Sequence, residues 1–338
     1  MPSVLQHVAE ANPDVVAMRQ KDDAGVWRQW TYQNLDEEVQ VVAKAMIEIG
    51  LHRHHSVAIM GSNSPHWIIA NLAAISAGWV FLSKSLCVLK GINSLNFSLT
   101  RYEGCSKLVK DLFSYYAIWS RSVIPMYVAF SLRVQNICRG IAAGLHQGLS
   151  AEEVARICID CKADVIVVES EALLKRVLLV QHKLPELKCI VQWRGEPPLS
   201  DQRRLAKSHK KHILSWEGLL ELGRALQPDR LEERLTKVAI NQCCALVYAT
   251  SNKGVMLSHD NLTWSAKMAL GVLRAPGFNP TPSPGHEVMI SFLPLAHIST
   301  QLIDIYYLIS VAGTSVFLPT DILHNQEDFF AALEEVSS

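Results

Sequence analysis

Short, uninterrupted apolar runs that alternate with helical patterns constrain the fold of this chain more than any other feature. A run of four to eight apolar residues without polar alternation is typical of a strand buried on both faces. Such runs cover 56–60, 141–145, 165–168, 187–191, 243–248, 288–292 and 314–317. Helical patterns cover 31–50, 65–78, 150–161, 217–226 and 297–308, and a further helix is predicted from Ser258. We therefore expect an α/β fold with mostly parallel sheets flanked by helices.

The composition narrows the class of protein. The chain has 338 residues, 49% of them hydrophobic, with 32 basic and 32 acidic side chains. This is enough apolar material for a large core, and the neutral balance argues against nucleic acid as the main partner. No basic segment followed by an apolar stretch opens the chain, and no apolar window reaches the length of a membrane span. We expect an intracellular, cytoplasmic protein without a transmembrane span.

The eight cysteines do not predict a metal centre. Cys158 and Cys161 have the spacing of half a zinc site, but no second pair with matching spacing follows and both lie in a helical pattern. The number of cysteines is ordinary for a reduced protein and too low for a disulfide scaffold. The sequence therefore predicts no metal ligands.

One segment, 79–139, lacks the alternation seen elsewhere. It contains ten of the 25 aromatic residues and eight Lys or Arg, but only Glu103 and Asp111 as acidic residues. A loop of this length without a pattern is unusual inside a compact domain. One interpretation is a surface insertion. The other is a translated intron, because codons for 78–80 and 138–140 can contain donor and acceptor sites. The predicted organisation is thus 1–78, an atypical insert over 79–139, and a continuation over 140–338.

A strand followed by a polar loop and a helix start is the most informative local pattern. The apolar run 243–248 leads into Thr250, Ser251, Lys253 and Gly254, and a helix begins near Ser258. Hydroxyls, backbone N–H groups and a lysine suit phosphate, although the spacing is not that of a Walker loop. By itself the pattern also fits an ordinary turn.

Two motifs resemble the adenylate-forming enzymes, and in particular the bubblegum-type long-chain acyl-CoA synthetases. The stretch 245–264, with Val255-Met256-Leu257-Ser258-His259, is similar to the end of their phosphate-loop signature Tyr-Thr-Ser-Gly-Thr-Thr-Gly-x-Pro-Lys-Gly-Val-Met-Leu-Ser-His. The stretch 291–298 resembles their Ser-Tyr-Leu-Pro-Leu-Ser-His-Ile motif. Weaker similarity extends over most of the chain outside the insert.

The resemblance implies a two-step ligase reaction. A fatty acid carboxylate attacks the α-phosphate of ATP, with Mg²⁺, and the thiol of coenzyme A then attacks the acyl carbon. Thr250, Ser251, Lys253 and Gly254 would belong to the phosphate loop. His297 would be a catalytic and substrate-binding residue near the acyl-adenylate. Gln301, one turn further on, would also bind substrate.

Two departures from the family predict impaired catalysis. From Tyr248 to Gly254 the chain has seven residues, and the Gly-Thr-Thr-Gly core of the family loop is missing. The four missing residues represent up to about 14 Å of extended chain. The chain also ends before the family motifs that bind ribose and support the coenzyme A step. We therefore keep two alternatives: a non-catalytic acyl-binding or scaffolding pseudoenzyme, and the product of a decayed gene. Peripheral contact of the insert with a membrane, such as that of the endoplasmic reticulum, is a further alternative.

Overall fold

The computed structural model of the chain describes most of the sequence on either side of the predicted insert. The residues described are 1–22, 24–52, 55–77, 80–84, 144–209, 211–248, 254–273, 283–318 and the single positions 331, 334 and 336. For 80–84 the description covers the backbone. The predicted strand over 141–145 is described only at Gly144 and Leu145, which are extended.

Two sheets organise the described residues. The strands are β1 (Val16–Lys21), β2 (Trp27–Thr31), β3 (Ser56–Met60), β4 (Val80–Lys84), β5 (Ala163–Val168), β6 (Cys189–Gln192), β7 (His212–Ser215), β8 (Cys243–Tyr248), β9 (Gly254–Ser258), β10 (Val288–Ser291) and β11 (Thr314–Phe317). A seven-stranded sheet has the order β9-β8-β4-β3-β5-β6-β7, and a four-stranded sheet has the order β10-β11-β1-β2. Only β9 and β2 pair antiparallel with their neighbours in these sheets.

Helices connect most of these strands. They are α1 (Pro2–Ala11), α2 (Tyr32–Glu48), α3 (Pro65–Ser76), α4 (Ala151–Asp160), α5 (Glu171–Val180), α6 (Leu199–His209), α7 (Trp216–Arg224), α8 (Asp229–Leu235), α9 (His259–Leu273), α10 (Ile298–Gln301) and α11 (Leu308–Val311). A π-helical segment, Leu302–Tyr307, joins α10 to α11. A short 3-10 helix, Gln181–Lys183, follows α5. In the described part of the chain, no helix is both long enough and apolar enough to cross a membrane.

The larger sheet separates two apolar cores. Val57 and Ile59 of β3 face one core, while Ala58 and Met60 face the other. The same alternation recurs along β5 and β6. Side chains of a strand point to opposite faces in turn, so a run that is apolar at every position buries both faces. This confirms the prediction of an α/β fold with parallel sheets flanked by helices.

The predicted elements agree closely with the structure where the sequence clearly marks the start or end of a helix or strand. Strands 56–60, 243–248 and 314–317 have the predicted bounds, and the helix after Thr31 begins at its N-cap. The structure adds β9 where a loop was expected, because the prediction had no signal for a hairpin. It also replaces one helix over 297–308 by three consecutive helical segments.

The first residues of the predicted insert lie inside the larger sheet. β4 occupies the position between β3 and β8 and pairs with both strands in parallel. The rest of the predicted insert, from residue 85, lies outside the described residues. The interpretation of 79–139 as a single foreign segment therefore stays a prediction.

Two serines at helix N-caps offer a matched test of local stability. Ser150 caps α4 through a capping box, in which its hydroxyl accepts from the Glu153 N–H and the Glu153 carboxylate accepts from the Ser150 N–H. Ser170 holds the same position before α5 without a side-chain cap bond. We expect Ser150→Ala to lower the free energy of unfolding by about 1 kcal/mol and Ser170→Ala to lower it by less. Urea unfolding measures both, and equal losses would contradict the role of the capping box.

Candidate functional site

The loops that follow parallel strands meet where the two sheets approach each other. In open α/β sheets ligands bind outside the carboxyl ends of strands. The loop after β3 begins at Gly61, the loop after β5 at Glu169, and the loop after β10 at Phe292. This carboxyl edge carries both motifs that the sequence analysis singled out. It is therefore the candidate functional site.

The Asn63 side chain joins the carboxyl edges of the two sheets. Its Nδ2 donates to the Leu293 carbonyl at 2.7 Å and to Ser291 Oγ at 2.9 Å, and its Oδ1 accepts from the Leu295 N–H at 2.8 Å. One amide from a loop of the larger sheet thus satisfies the last side chain of β10 and two backbone groups of the loop that follows it. Sequence analysis assigned no role to Asn63, although its position just after a predicted strand was a usable signal.

Gln301 supports the same loop from the opposite side. Its side chain is fully buried and Nε2 donates to the Leu295 carbonyl at 2.8 Å. Leu295 is therefore held through its N–H by Asn63 and through its carbonyl by Gln301. In this structure Gln301 positions the loop that carries His297. A direct contact between Gln301 and substrate stays a prediction.

His297 lies at the N-cap of α10 and begins the π-containing helix. Its N–H donates to the Pro294 carbonyl at 2.9 Å, and its carbonyl accepts from the Gln301 N–H at 3.1 Å. Burial lowers the pKa of His297 to about 4, and the nearby imidazole of His146 adds to this shift. The ring is therefore neutral near pH 7, and one of its nitrogens is an acceptor.

The predicted phosphate loop connects the two strands of an antiparallel hairpin. Gly254 pairs with Tyr248, which leaves residues 249–253 to join the strands. A Cβ atom at Gly254 would lie 3.0 Å from the Tyr248 ring, so glycine relieves a close approach there. The Tyr248 hydroxyl donates to the Asp160 carboxylate, which ties the end of β8 to α4. Thr250, Ser251 and Lys253 lie outside the described residues, and their contacts with phosphate stay a prediction.

A second polar centre at this edge was missed by sequence analysis. Both carboxylate oxygens of Glu169 accept from Ser62, one from the N–H at 2.8 Å and one from the hydroxyl at 2.6 Å. The Gln147 amide adds a weaker bond at 3.3 Å. Gly61 permits this arrangement because a Cβ atom there would lie 2.3 Å from the Trp193 ring. Glu169 follows a predicted strand directly, which was the signal available in the sequence.

A comparison with known families identifies the class of protein. The model of that family matches residues 5–83 and 137–337, so the chain belongs to it. The match leaves out residues 84–136.

The chain is similar to bubblegum-type ligases in particular. It is 28% identical over 324 residues to the long-chain-fatty-acid–CoA ligase ACSBG2 of Xenopus laevis, covering 95% of this chain and 34% of that protein. It is 27% identical over 316 residues to ACSBG1 of Rattus norvegicus, covering 92% of this chain and 33% of that protein. The chain thus spans about a third of the length of these relatives.

Solved structures share the fold. Coronafacic acid ligase from Pectobacterium brasiliense superposes with a TM-score of 0.62 at 12% identity, covering 97% of this chain and 47% of that one. A fatty acyl CoA synthetase from Mycobacterium tuberculosis gives 0.57 at 13% identity, covering 94% and 44%. At these identities the likeness concerns the fold alone.

The lowered pKa of His297 makes stability depend on pH. The folded state holds the ring neutral down to about pH 4, whereas the unfolded chain binds a proton below about pH 6.5. Stability from this residue is therefore present above pH 6.5 and is lost as the pH falls toward 4. When the pH is lowered from 7 to 5, the free energy of unfolding should fall in both proteins. We expect the fall to be about 1–2 kcal/mol smaller in the His297→Gln variant than in the natural chain. Urea unfolding at both pH values measures the difference. The exposed His182→Gln variant is the control, and identical pH slopes for all three proteins would refute the assignment.

Proposed function

We propose that this chain forms part of a long-chain fatty-acid–CoA ligase of the bubblegum type. The observation that carries the proposal is the loop after β10, which bears the family motif. Asn63 bonds the N–H of Leu295 in this loop, and Gln301 bonds its carbonyl. A rigid loop at the carboxyl edge suits the positioning of a reacting carboxylate.

The proposed substrates are a long-chain fatty acid, ATP and coenzyme A. In the first step a carboxylate oxygen attacks the α-phosphorus of ATP and pyrophosphate leaves. In the second step the coenzyme A thiol, having lost its proton, attacks the acyl carbon and AMP leaves. We assign His297 to the binding of the acyl-adenylate, where its neutral ring can accept a hydrogen bond. We assign the binding of the ATP phosphates to Thr250, Ser251, Lys253 and Gly254.

The described residues at the carboxyl edge do not include a converging cluster of metal ligands. Mg²⁺ prefers several oxygen ligands in octahedral geometry. Glu169 directs both carboxylate oxygens to Ser62, and no group of three His, Cys, Asp or Glu converges there within the described ranges. We therefore assign Mg²⁺ no protein ligand and derive no step through it.

The hairpin supports the proposal that adenylation is impaired. Five residues lie between the paired positions Tyr248 and Gly254, and none of the five is glycine. A segment of that length and composition has fewer backbone N–H groups and fewer glycines with which to bind a triphosphate than the family loop has. The same observation favours the second candidate function, a non-catalytic acyl-binding protein.

The cysteines support a cytoplasmic location for either function. Among the described residues, the cysteines form no disulfide and are buried thiols, which suits a reducing compartment; they are Cys158, Cys161, Cys189, Cys243 and Cys244. We propose the cytoplasm as the location.

Nucleotide and fatty acid titrations test the proposed function directly. We expect the natural chain to bind a fluorescent long-chain fatty acid but to show no ATP binding at micromolar concentrations, because its phosphate loop is short. Insertion of Gly-Thr-Thr-Gly between Ser251 and Asn252 restores the family loop length and should strengthen ATP binding by about tenfold or more. An insertion of Ala-Thr-Thr-Ala at the same place is the matched control for glycine.

Each result of these titrations points to a different conclusion. Micromolar ATP binding by the natural chain would refute impairment. If the natural chain binds fatty acid and the glycine insertion does not strengthen ATP binding, the result would favour the non-catalytic acyl-binding protein. Failure to bind fatty acid, nucleotide or coenzyme A would overturn both functions.

We also propose that the atypical segment 79–139 is foreign to the domain and arises from a translated intron. The family match omits 84–136, which supports this reading, while the pairing of β4 within the sheet favours a surface insertion that begins later. The basic and aromatic composition of the segment would also suit peripheral membrane contact.

A deletion experiment separates these readings of the segment. Removal of 79–139 joins Gly78 to Gly140 and makes 141–145 available for the position of β4. We expect this variant to unfold at a higher temperature than the natural chain if the segment is foreign. A lower melting temperature, together with mature messages that retain these codons, would show that β4 is the genuine strand.

A further inference from the structure

A cluster of two histidines and a buried carboxylate lies at the edge of the larger sheet opposite the candidate functional site. His52 and His55 precede β3, and Asp164 is the second residue of β5. Parallel strands place their amino ends together, so residues 112 positions apart in sequence meet here. Nothing in the proposed ligase reaction uses this amino edge.

The potential ligand atoms of the cluster already converge. The Nδ1 atom of His55 lies 3.1 Å from one Asp164 oxygen, and the Nδ1 atom of His52 lies 3.6 Å from the other. The ligand atoms of all three residues lie within 4.8 Å of one another. Tetrahedral bonds of about 2.0–2.1 Å to a zinc ion place neighbouring ligands about 3.3–3.4 Å apart. The two distances from histidine nitrogens to Asp164 oxygens, 3.1 and 3.6 Å, bracket that value.

Asp164 is held in place by bonds that would orient it for a metal. Its side chain is fully buried, and one oxygen accepts the His52 N–H at 2.7 Å. A buried carboxylate needs a partner of opposite charge, because desolvation of an isolated charge is costly. The cluster therefore requires a cation.

In this structure the cation is the ammonium of Lys188. Its Nζ lies 3.4 Å from Asp164 Oδ1 and 2.8 Å from His52 Nδ1, and it also donates to the Gly50 carbonyl. An ammonium has no acceptor, so the imidazole nitrogen that faces it carries a lone pair. The side chain of Lys188 is 27% exposed, which leaves it a route to solvent.

We propose that His52, His55 and Asp164 form a binding site for Zn²⁺, which enters by displacing the Lys188 ammonium. Two imidazole nitrogens and a carboxylate oxygen are a ligand set typical of zinc. Glu186 supplies the fourth ligand, because its Oε2 lies 3.8 Å from His55 Nδ1 and its side chain is half exposed. The bound ion would cross-link the segment before β3 to the starts of β5 and β6, so the site stabilises the fold.

Zinc titration of the full chain tests the proposal. Calorimetry should show one saturable Zn²⁺ site at micromolar concentrations, and Zn²⁺ should raise the melting temperature. Co²⁺ should give the visible absorption of a tetrahedral complex. Because Asp164→Asn removes a buried charge and can prevent folding, the principal variant is His52→Asn, whose side chain is 61% exposed. It should weaken zinc binding by about tenfold or more. The exposed His182→Asn variant is the matched control and should bind as the natural chain does.

A second variant tests the displacement of the lysine. Lys188→Met removes the competing ammonium and should tighten zinc binding by several-fold, although it leaves Asp164 unpaired in the zinc-free protein. If His52→Asn binds zinc as tightly as His182→Asn, or no saturable site exists at micromolar zinc, the proposal is overturned. Weaker binding by Lys188→Met would contradict displacement, because it would show that zinc and the ammonium do not compete.

Discussion

The hydrogen bonds of Asn63 hold the rest of the candidate site together. They connect the end of β3 in the larger sheet with the loop after β10 in the smaller sheet. Backbone groups of a loop need partners when they leave a strand, and a side-chain amide can satisfy a donor and an acceptor at once. Because Gln301 bonds the carbonyl of Leu295, two side-chain amides hold the loop that leads to His297.

The two edges of the larger sheet carry different chemistry for the same geometric reason. Parallel strands place all their carboxyl ends on one side, where the family motifs gather, and all their amino ends on the other, where His52 and Asp164 meet. A ligand at the amino edge would therefore stabilise the sheet without entering the reaction site. Zinc binding at the amino edge and ligase chemistry at the carboxyl edge therefore do not depend on each other.

Elements with strong local signals were predictable from the sequence. Ser150 and Thr31 are real N-caps with capping boxes, and the apolar runs at 56–60 and 243–248 are strands with those bounds. Predictions failed where a partner in space decides the outcome. The strand β9 depends on pairing with β8 across a hairpin, and Glu169 acquires its role only beside Ser62.

Local sequence by itself determined the α/β class, most helix starts and the segments that bear the family motifs, because propensity, capping and apolar runs act over a few residues. Only the tertiary structure decided the strand order, including the place of β4 between β3 and β8. It also decided which distant side chains meet, such as Asn63 with Leu295 across 232 positions and His52 with Asp164 across 112. Such contacts arise when burial of both faces of a sheet brings strand ends together, and no local pattern encodes that.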